Sequence, residues 1–169
     1  TDEAIGQILE QIKECARMEF STDGVVSHLA IGFSEKDPDG LVMPMDATSM
    51  ETWELFHKII PRIFRMESIK LYATVNQVVY EADDTQHEAV VVTVQDDTTQ
   101  KYSLADVERN EDELTLAEFK DHGPAPVAER GRQAQFLSME ITDEDMDAFK
   151  QFREDNPDLL IDIPEPVKH

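Results

Sequence analysis

The chain has 169 residues, 40% of them apolar, and its 37 acidic residues against 15 lysines and arginines give a net charge of −22. A domain of this length buries roughly 70% of its unfolded surface, so its core needs no metal or disulfide staple, and the composition lies outside the disordered class. Charge of that sign and size repels nucleic acid, anionic lipid and phosphate-rich substrates, which argues against direct nucleic-acid binding.

The acidic excess is spread along the chain, with 16 acids and 7 bases in residues 1–85 and 21 and 8 in residues 86–169. It fits a solvated surface, adaptation to a high-salt cytoplasm, or a negative face for a basic partner. No apolar run approaches the ~20 residues that cross a bilayer. No basic segment followed by an apolar stretch opens the chain, so a cytoplasmic location without membrane contact is expected. Cys15, the sole cysteine, rules out an intramolecular disulfide and a cysteine-based zinc site, and its apolar helix neighbours predict a small buried side chain.

In chain order, residues 2–20 form an amphipathic helix: Ile5, Ile8, Leu9, Ile12, Cys15, Ala16 and Phe20 recur at spacings of three and four. A hairpin follows, with Val25–Phe33 and Leu41–Met45 joined across the turn Asp37-Pro38-Asp39-Gly40. Thr48 and Glu51 form a helix-start pair for a second helix reaching Met66, with Trp53, Phe56, Ile60, Ile63 and Phe64 on its buried face. Pro61 removes a backbone donor inside that helix and is expected to kink or split it. Four strands then alternate with turns: Ile69–Tyr80, Ala89–Val94, Lys101–Glu108 and Leu114–Phe119. From Asp121 to Gln135 the pattern dissolves, and His122-Gly123-Pro124-Ala125-Pro126 reads as irregular. Thr142 caps a last helix to about Glu154 whose Met146, Phe149 and Phe152 face inward.

Helices do not alternate with strands in this order, α-β-β-α-β-β-β-β-α. The fold class is therefore α+β: a mostly antiparallel sheet, made of the hairpin plus the four-strand meander, with the helices packed on one face. Residues 1–156 form the single domain and 157–169 a C-terminal tail. Its apolar run Leu159–Ile163 offers a strand for pairing with another subunit, making a homo-oligomer, or for folding back on its own sheet.

Motifs for chemistry are absent. His28, His57, His87, His122 and His169 share no metal-site spacing, and no nucleotide loop or hydrolase elbow occurs, so neither metal nor cofactor is expected. The carboxylate pairs Asp83-Asp84, Asp96-Asp97 and Glu111-Asp112 fall in turns, where water keeps them ionised.

Two local features oppose the global charge. Lys58, Arg62 and Arg65 share one face of the second helix and, with His57 and Lys70, make a basic patch for an anion or an acidic contact. The plain alternative pairs Glu54 with Lys58 and neighbouring acids with the arginines. Arg130 and Arg132 lie in the long irregular segment, where guanidinium groups fork onto a carboxylate or phosphate, or merely solubilise a loop. On the last helix, Asp143, Glu144, Asp145, Asp147, Glu154, Asp155 and, beyond it, Asp158 surround an apolar stripe, as in an acidic nucleic-acid mimic or any acidic amphipathic helix. The stretch His87–Glu118, with its apolar strand, polar turn and Tyr102–Arg109 segment, resembles small proteins of phages and mobile elements, a resemblance that implies no activity and no site residue.

The first functional expectation is therefore a small acidic binding or accessory protein, not an enzyme, that engages a basic protein partner. The alternatives are an enzyme or small-anion-binding protein with a pocket at the 121–135 loop, and the acidic nucleic-acid mimic.

Overall fold

The computed structural model describes residues 2–45, 49–126, 132–137 and 139–155. Its elements are α1 (Asp2–Asp23), β1 (Leu29–Phe33), β2 (Leu41–Pro44), α2 (Met50–Met66), β3 (Leu71–Ala82), β4 (Thr85–Gln95), β5 (Thr99–Asn110), β6 (Glu113–Leu116), β7 (Lys120–Pro126), a 3₁₀ turn (Arg132–Gln135) and α3 (Asp143–Asp155). The fold is α+β. Seven strands form one antiparallel sheet in the order β2-β1-β3-β4-β5-β6, and β7 pairs with β5 alongside β6.

Period-two alternation sorts the sheet residues onto two faces. On the first face, Ile31, Ala73, Val75, Val90, Val92 and Val94 pack against Ile5, Leu9, Ile12, Ala16 and Phe20 of α1. On the opposite face, Ala30 and Tyr72 join Ile60 and Phe64 of α2, Met43, and Phe136. The expected arrangement with the helices on one face is thus corrected: α1 and α2 sandwich the sheet. The reason is side-chain size along β1, where Gly32 leaves room for Phe64, whose Cε1 lies 2.9 Å from where a Cβ would stand. The second cover is partial. Val91 and Thr93 of β4 and Tyr102 and Leu104 of β5 remain half-buried on that face.

Four further expectations change. Cys15 is exposed, and Lys13 is the buried neighbour instead. At 3.6 residues per turn, Cys15 sits about 100° from the centre of the apolar stripe and Lys13 only about 60°. Pro61 does not split α2, which runs through it and buries the ring. The stretch from Lys120 to Pro126 is a strand, not irregular chain. Its prolines are tolerated because β7 lies at the sheet margin, pairing with β5 alone. Gly123 meets the shifted register near Gln100 and Tyr102 at φ 103°, where a Cβ would fall 2.8 Å from the Gln100 carbonyl oxygen. The fourth change is the end of the meander, since β6 stops at Leu116 and leaves Phe119 to pack against the first-face core.

Thr142 caps α3 as expected, in a reciprocal pair. Its Oγ1 accepts from the Asp145 N–H at 3.1 Å, and the Asp145 carboxylate accepts from the Thr142 N–H at 3.1 Å. The Thr48 cap, the inward side chains Phe149 and Phe152, and the tail 157–169 lie outside the described residues.

Candidate functional site

The basic face of α2 does not survive as one free patch. Lys58 is exposed, but Arg62 turns to α3, where its guanidinium lies 3.1 Å from the Asp145 carboxylate and also donates to the Lys58 carbonyl. Hydrogen bonds from the Thr142 N–H and hydroxyl, with the Arg62 charge, hold the Asp145 carboxyl below its usual range. Arg62 is therefore a tie between helices. Arg65 is exposed, and its guanidinium donates to the Met139 carbonyl at 3.5 Å. His57 leaves the patch altogether. It is 1% exposed, its ring packs at a tilt against Trp53 with centroids 3.8 Å apart, and its Nδ1 lies 2.8 Å from the Trp53 carbonyl oxygen.

Of the loop pair, Arg130 and the Arg132 side chain lie outside the described residues, and Arg132 opens the 3₁₀ turn. That turn and the residues after it are fastened to the second sheet face by buried polar groups. Gln95 donates to the Ala134 carbonyl and accepts from Gln100 at 2.9 Å, and the Tyr72 hydroxyl accepts from the Phe136 N–H at 3.3 Å. Tyr72 and Phe136 stack with centroids 5.5 Å apart, and burial pushes the Tyr72 phenol well above its ordinary pKa.

This fastening builds a cleft of about 450 Å³ where three connections meet: the end of α2 with the α2–β3 turn, the β4–β5 turn, and the segment after the 3₁₀ turn. Phe64, Ile69 and Phe136 lie beneath it, almost fully buried, and the exposed Arg65, Lys70 and Asp97 stand on its rim. A neighbouring cleft of about 630 Å³ shares Ser68 and Lys70 and is walled by Phe33, Lys36 and Glu67. Lys36 is paired there with Glu67 at 3.0 Å.

The opposite end of the sheet is acidic. Asp83-Asp84 joins β3 to β4, and Glu111-Asp112 joins β5 to β6, both as two-residue turns. Because β4 and β5 run antiparallel, with Ala89 beside Asp106 as their pair nearest this end, the two turns fall at the same end of the sheet. Glu81, Asp83, Asp84, Glu108, Glu111, Asp112 and Glu113 are all exposed there. Arg109 is engaged with Glu88 at 2.7 Å. Asp83, Asp84 and Glu111 have φ of 53°, 59° and 47°, left-handed values that aspartate tolerates better than most residues. Val79 on β3 and Leu114 on β6, 66% and 42% exposed, place apolar side chains among these carboxylates.

A third polar cluster ties α1 to β5 and β7. The buried Lys13 ammonium lies 2.7 Å from Glu10 and 2.8 Å from Asp121, and the Asp121 carboxylate also accepts from the buried Ser103 hydroxyl at 2.7 Å. Ser103 is fully buried, so it has no access to a substrate. Sequence reasoning missed this cluster because a lysine one position from the stripe reads as surface. Among the described residues no three His, Cys, Asp or Glu side chains are placed to hold a metal ion, and no described helix is long and apolar enough to cross a membrane. No family model, curated protein or solved structure matches the chain.

Proposed function

We propose that this chain is a cytoplasmic binding protein that docks a basic protein partner through the acidic end of its sheet. The observation that carries the reading is that the Asp83-Asp84 and Glu111-Asp112 turns fall at one end of the sheet, where seven exposed acids and the exposed apolar side chains Val79 and Leu114 lie on β3 to β6 and their turns. Interfaces draw their affinity from a few desolvated apolar anchors, and charge around them sets on-rate and partner choice. An acidic rim around apolar side chains suits a lysine- or arginine-rich surface with its own apolar centre. The same field turns nucleic acid away.

The test compares two variants in which equal numbers of acids are neutralised. One carries Asp83→Asn, Asp84→Asn, Glu111→Gln and Glu113→Gln; the control carries Asp143→Asn, Glu144→Gln, Asp147→Asn and Glu154→Gln on α3. Proteins retained from host lysate at low salt are identified, and the partner is purified and titrated against both variants. Loss of binding by at least tenfold in the first variant and retention in the control supports the reading. Equal binding by both, or no retained basic protein, rejects it.

A further inference from the structure

Resting on the reading of the acidic end as a docking surface, we propose that its ligand is a short basic amphipathic segment of the partner. The segment's apolar side chains rest on Val25, Val79 and Leu114, and one of its lysines or arginines caps the C-terminal end of α1.

Helix α1 runs along the first sheet face toward the acidic end. Near its start, the Lys101 ammonium donates to the Asp2 carbonyl at 3.2 Å. At its other end Gly24, at φ 74°, donates its N–H to the Phe20 carbonyl at 2.8 Å, and a Cβ on this glycine would lie 3.9 Å from Leu114 Cδ1. Two residues later the Val26 N–H donates to the Gln77 side chain at 3.0 Å. The connection 24–26 therefore marks where the helical cover of this face ends, while β3 runs on to Ala82 and β5 to Asn110. By period-two alternation Val79 shares the face of Val75 and Gln77, and Leu114 that of the core residue Leu116. The polar groups on the same face satisfy one another, since both Gln77 and Arg109 donate to Glu88. The apolar ones stay open: Val79, Val25 and Leu114 are 66%, 55% and 42% exposed.

The charge of the ligand follows from α1 itself. Asp2 and Glu3 in the first turn suit the positive end of the helix dipole, but the last turn holds no base and ends on exposed Asp23. An acid at the negative end destabilises a helix, and a cation placed there reverses the effect. A lysine or arginine of the incoming segment supplies that cation from outside, and the exposed acids Glu81, Glu111 and Glu113 stand at the same end of the sheet. Apolar anchors then carry the affinity, and the cation fixes where the segment sits.

The probes are a synthetic lysine–leucine peptide of amphipathic pattern and its counterpart with serine for every leucine. Each is titrated against the ¹⁵N-labelled full chain at about 0.15 M salt, where the Debye length is about 8 Å. The leucine peptide binds saturably, at least tenfold more tightly than the serine peptide, and shifts the amides of Gly24, Val25, Val79 and Leu114. Val79→Thr with Leu114→Thr, which keeps strand-forming residues, weakens it at least fivefold. Met50→Gln, at an exposed apolar side chain on α2, leaves it unchanged. Asp23→Lys builds the cap into the chain, so it raises the melting temperature of the free protein and weakens the leucine peptide at least fivefold. Asp143→Lys, the same change of charge on α3, does neither. A matching amide spectrum verifies the fold of each variant. No saturable binding, equal affinity of the two peptides, or a leucine peptide indifferent to Val79, Leu114 and Asp23 overturns the inference and leaves docking by charge standing. Binding unchanged by neutralising Asp83, Asp84, Glu111 and Glu113 overturns the docking surface, and the inference with it.

Discussion

Lys13 and Asp121, 108 residues apart in sequence, meet with Nζ 2.8 Å from Oδ1 and thereby join α1 to β7. The lysine stem is buried against the core, and its ammonium lies 5.9 Å from the centre of the Phe119 ring. Breaking a fully buried pair from one side costs about 3–5 kcal/mol. Here the Asp121 side chain keeps 55% of its exposure, so water takes over much of its solvation and a smaller loss of about 1–2 kcal/mol is expected for Lys13→Ala. Lys13→Met, which keeps the apolar stem, loses less than Lys13→Ala. Urea midpoints of the three proteins measure both differences; equal midpoints would show that the pair adds nothing.

The same pair fixes a pH signature. Hydrogen bonds from Lys13 and Ser103 outweigh burial and lower the Asp121 pKa from 3.8. Burial pulls the Lys13 pKa down, but its hydrogen bonds to Asp121 and Glu10 outweigh that and raise it from 10.5. A depressed carboxylate stabilises the fold above its unfolded pKa and loses that contribution as pH falls through the folded value. A raised ammonium stabilises below its unfolded pKa and loses the contribution as pH climbs through the folded value. The stability gap between wild type and Lys13→Met is therefore full between about pH 5 and 9 and closes below about pH 4 and above about pH 10.5. Taking the difference between the two proteins cancels the titration of the other acids. A gap that is constant from pH 3 to 11 contradicts this.

Gly32 reports on the second sheet face. A Cβ there would lie 2.9 Å from Phe64 Cε1 and 3.0 Å from Ile69 Cδ1 and Cγ1, all parts of buried side chains. Overpacking of this kind costs about 1–3 kcal/mol. Gly32→Ala is expected to lower the melting temperature by about 2–12 °C, at roughly 2–4 °C per kcal/mol. A Gly32→Ala protein as stable as wild type would mean that α2 does not dock over β1.

How much of this was legible depended on whether the signal lay within one segment. The stripe Ile5-Leu9-Ile12-Ala16-Phe20 announces α1 because its partners are all on one side, and the β-branched run in β4 announces a central strand. Which face each helix covers is not written in either segment; it follows from Ala30 and Gly32 alternating with Ile31 on β1. Strand β7 was hidden because Gly123, Pro124 and Pro126 weaken any local strand signal, and only pairing with β5 makes it a strand. At the cleft, Arg65 and Lys70 were visible as cations against an acidic background, but Asp97 and Phe136 join them only through the meeting of three connections. The acidic turns were legible one by one; that they fall at one end of the sheet required the β4–β5 pairing.

The acidic excess also governs how the fold responds to salt. The ion pairs among the described side chains, such as Arg17–Glu14 at 2.8 Å and Lys36–Glu67 at 3.0 Å, mostly lie at the surface, where each contributes about 0–1 kcal/mol and salt weakens it. Against them stands the mutual repulsion of 22 uncompensated charges, which salt also screens, as the Debye length shrinks from about 30 Å at 0.01 M to about 3 Å at 1 M. Repulsion outnumbers attraction, so net stability rises with salt, and a gain of about 1–2 kcal/mol, or roughly 2–8 °C in melting temperature, is expected between 0.01 and 1 M sodium chloride. The variant neutralised at Asp83, Asp84, Glu111 and Glu113 starts higher in dilute buffer and gains less, because four acids at the same end of the sheet no longer add to the repulsion. Thermal melts of both proteins across the salt series read this directly. A melting temperature that falls with salt in the wild type would mean that paired charges, not the acidic excess, dominate the electrostatics of folding.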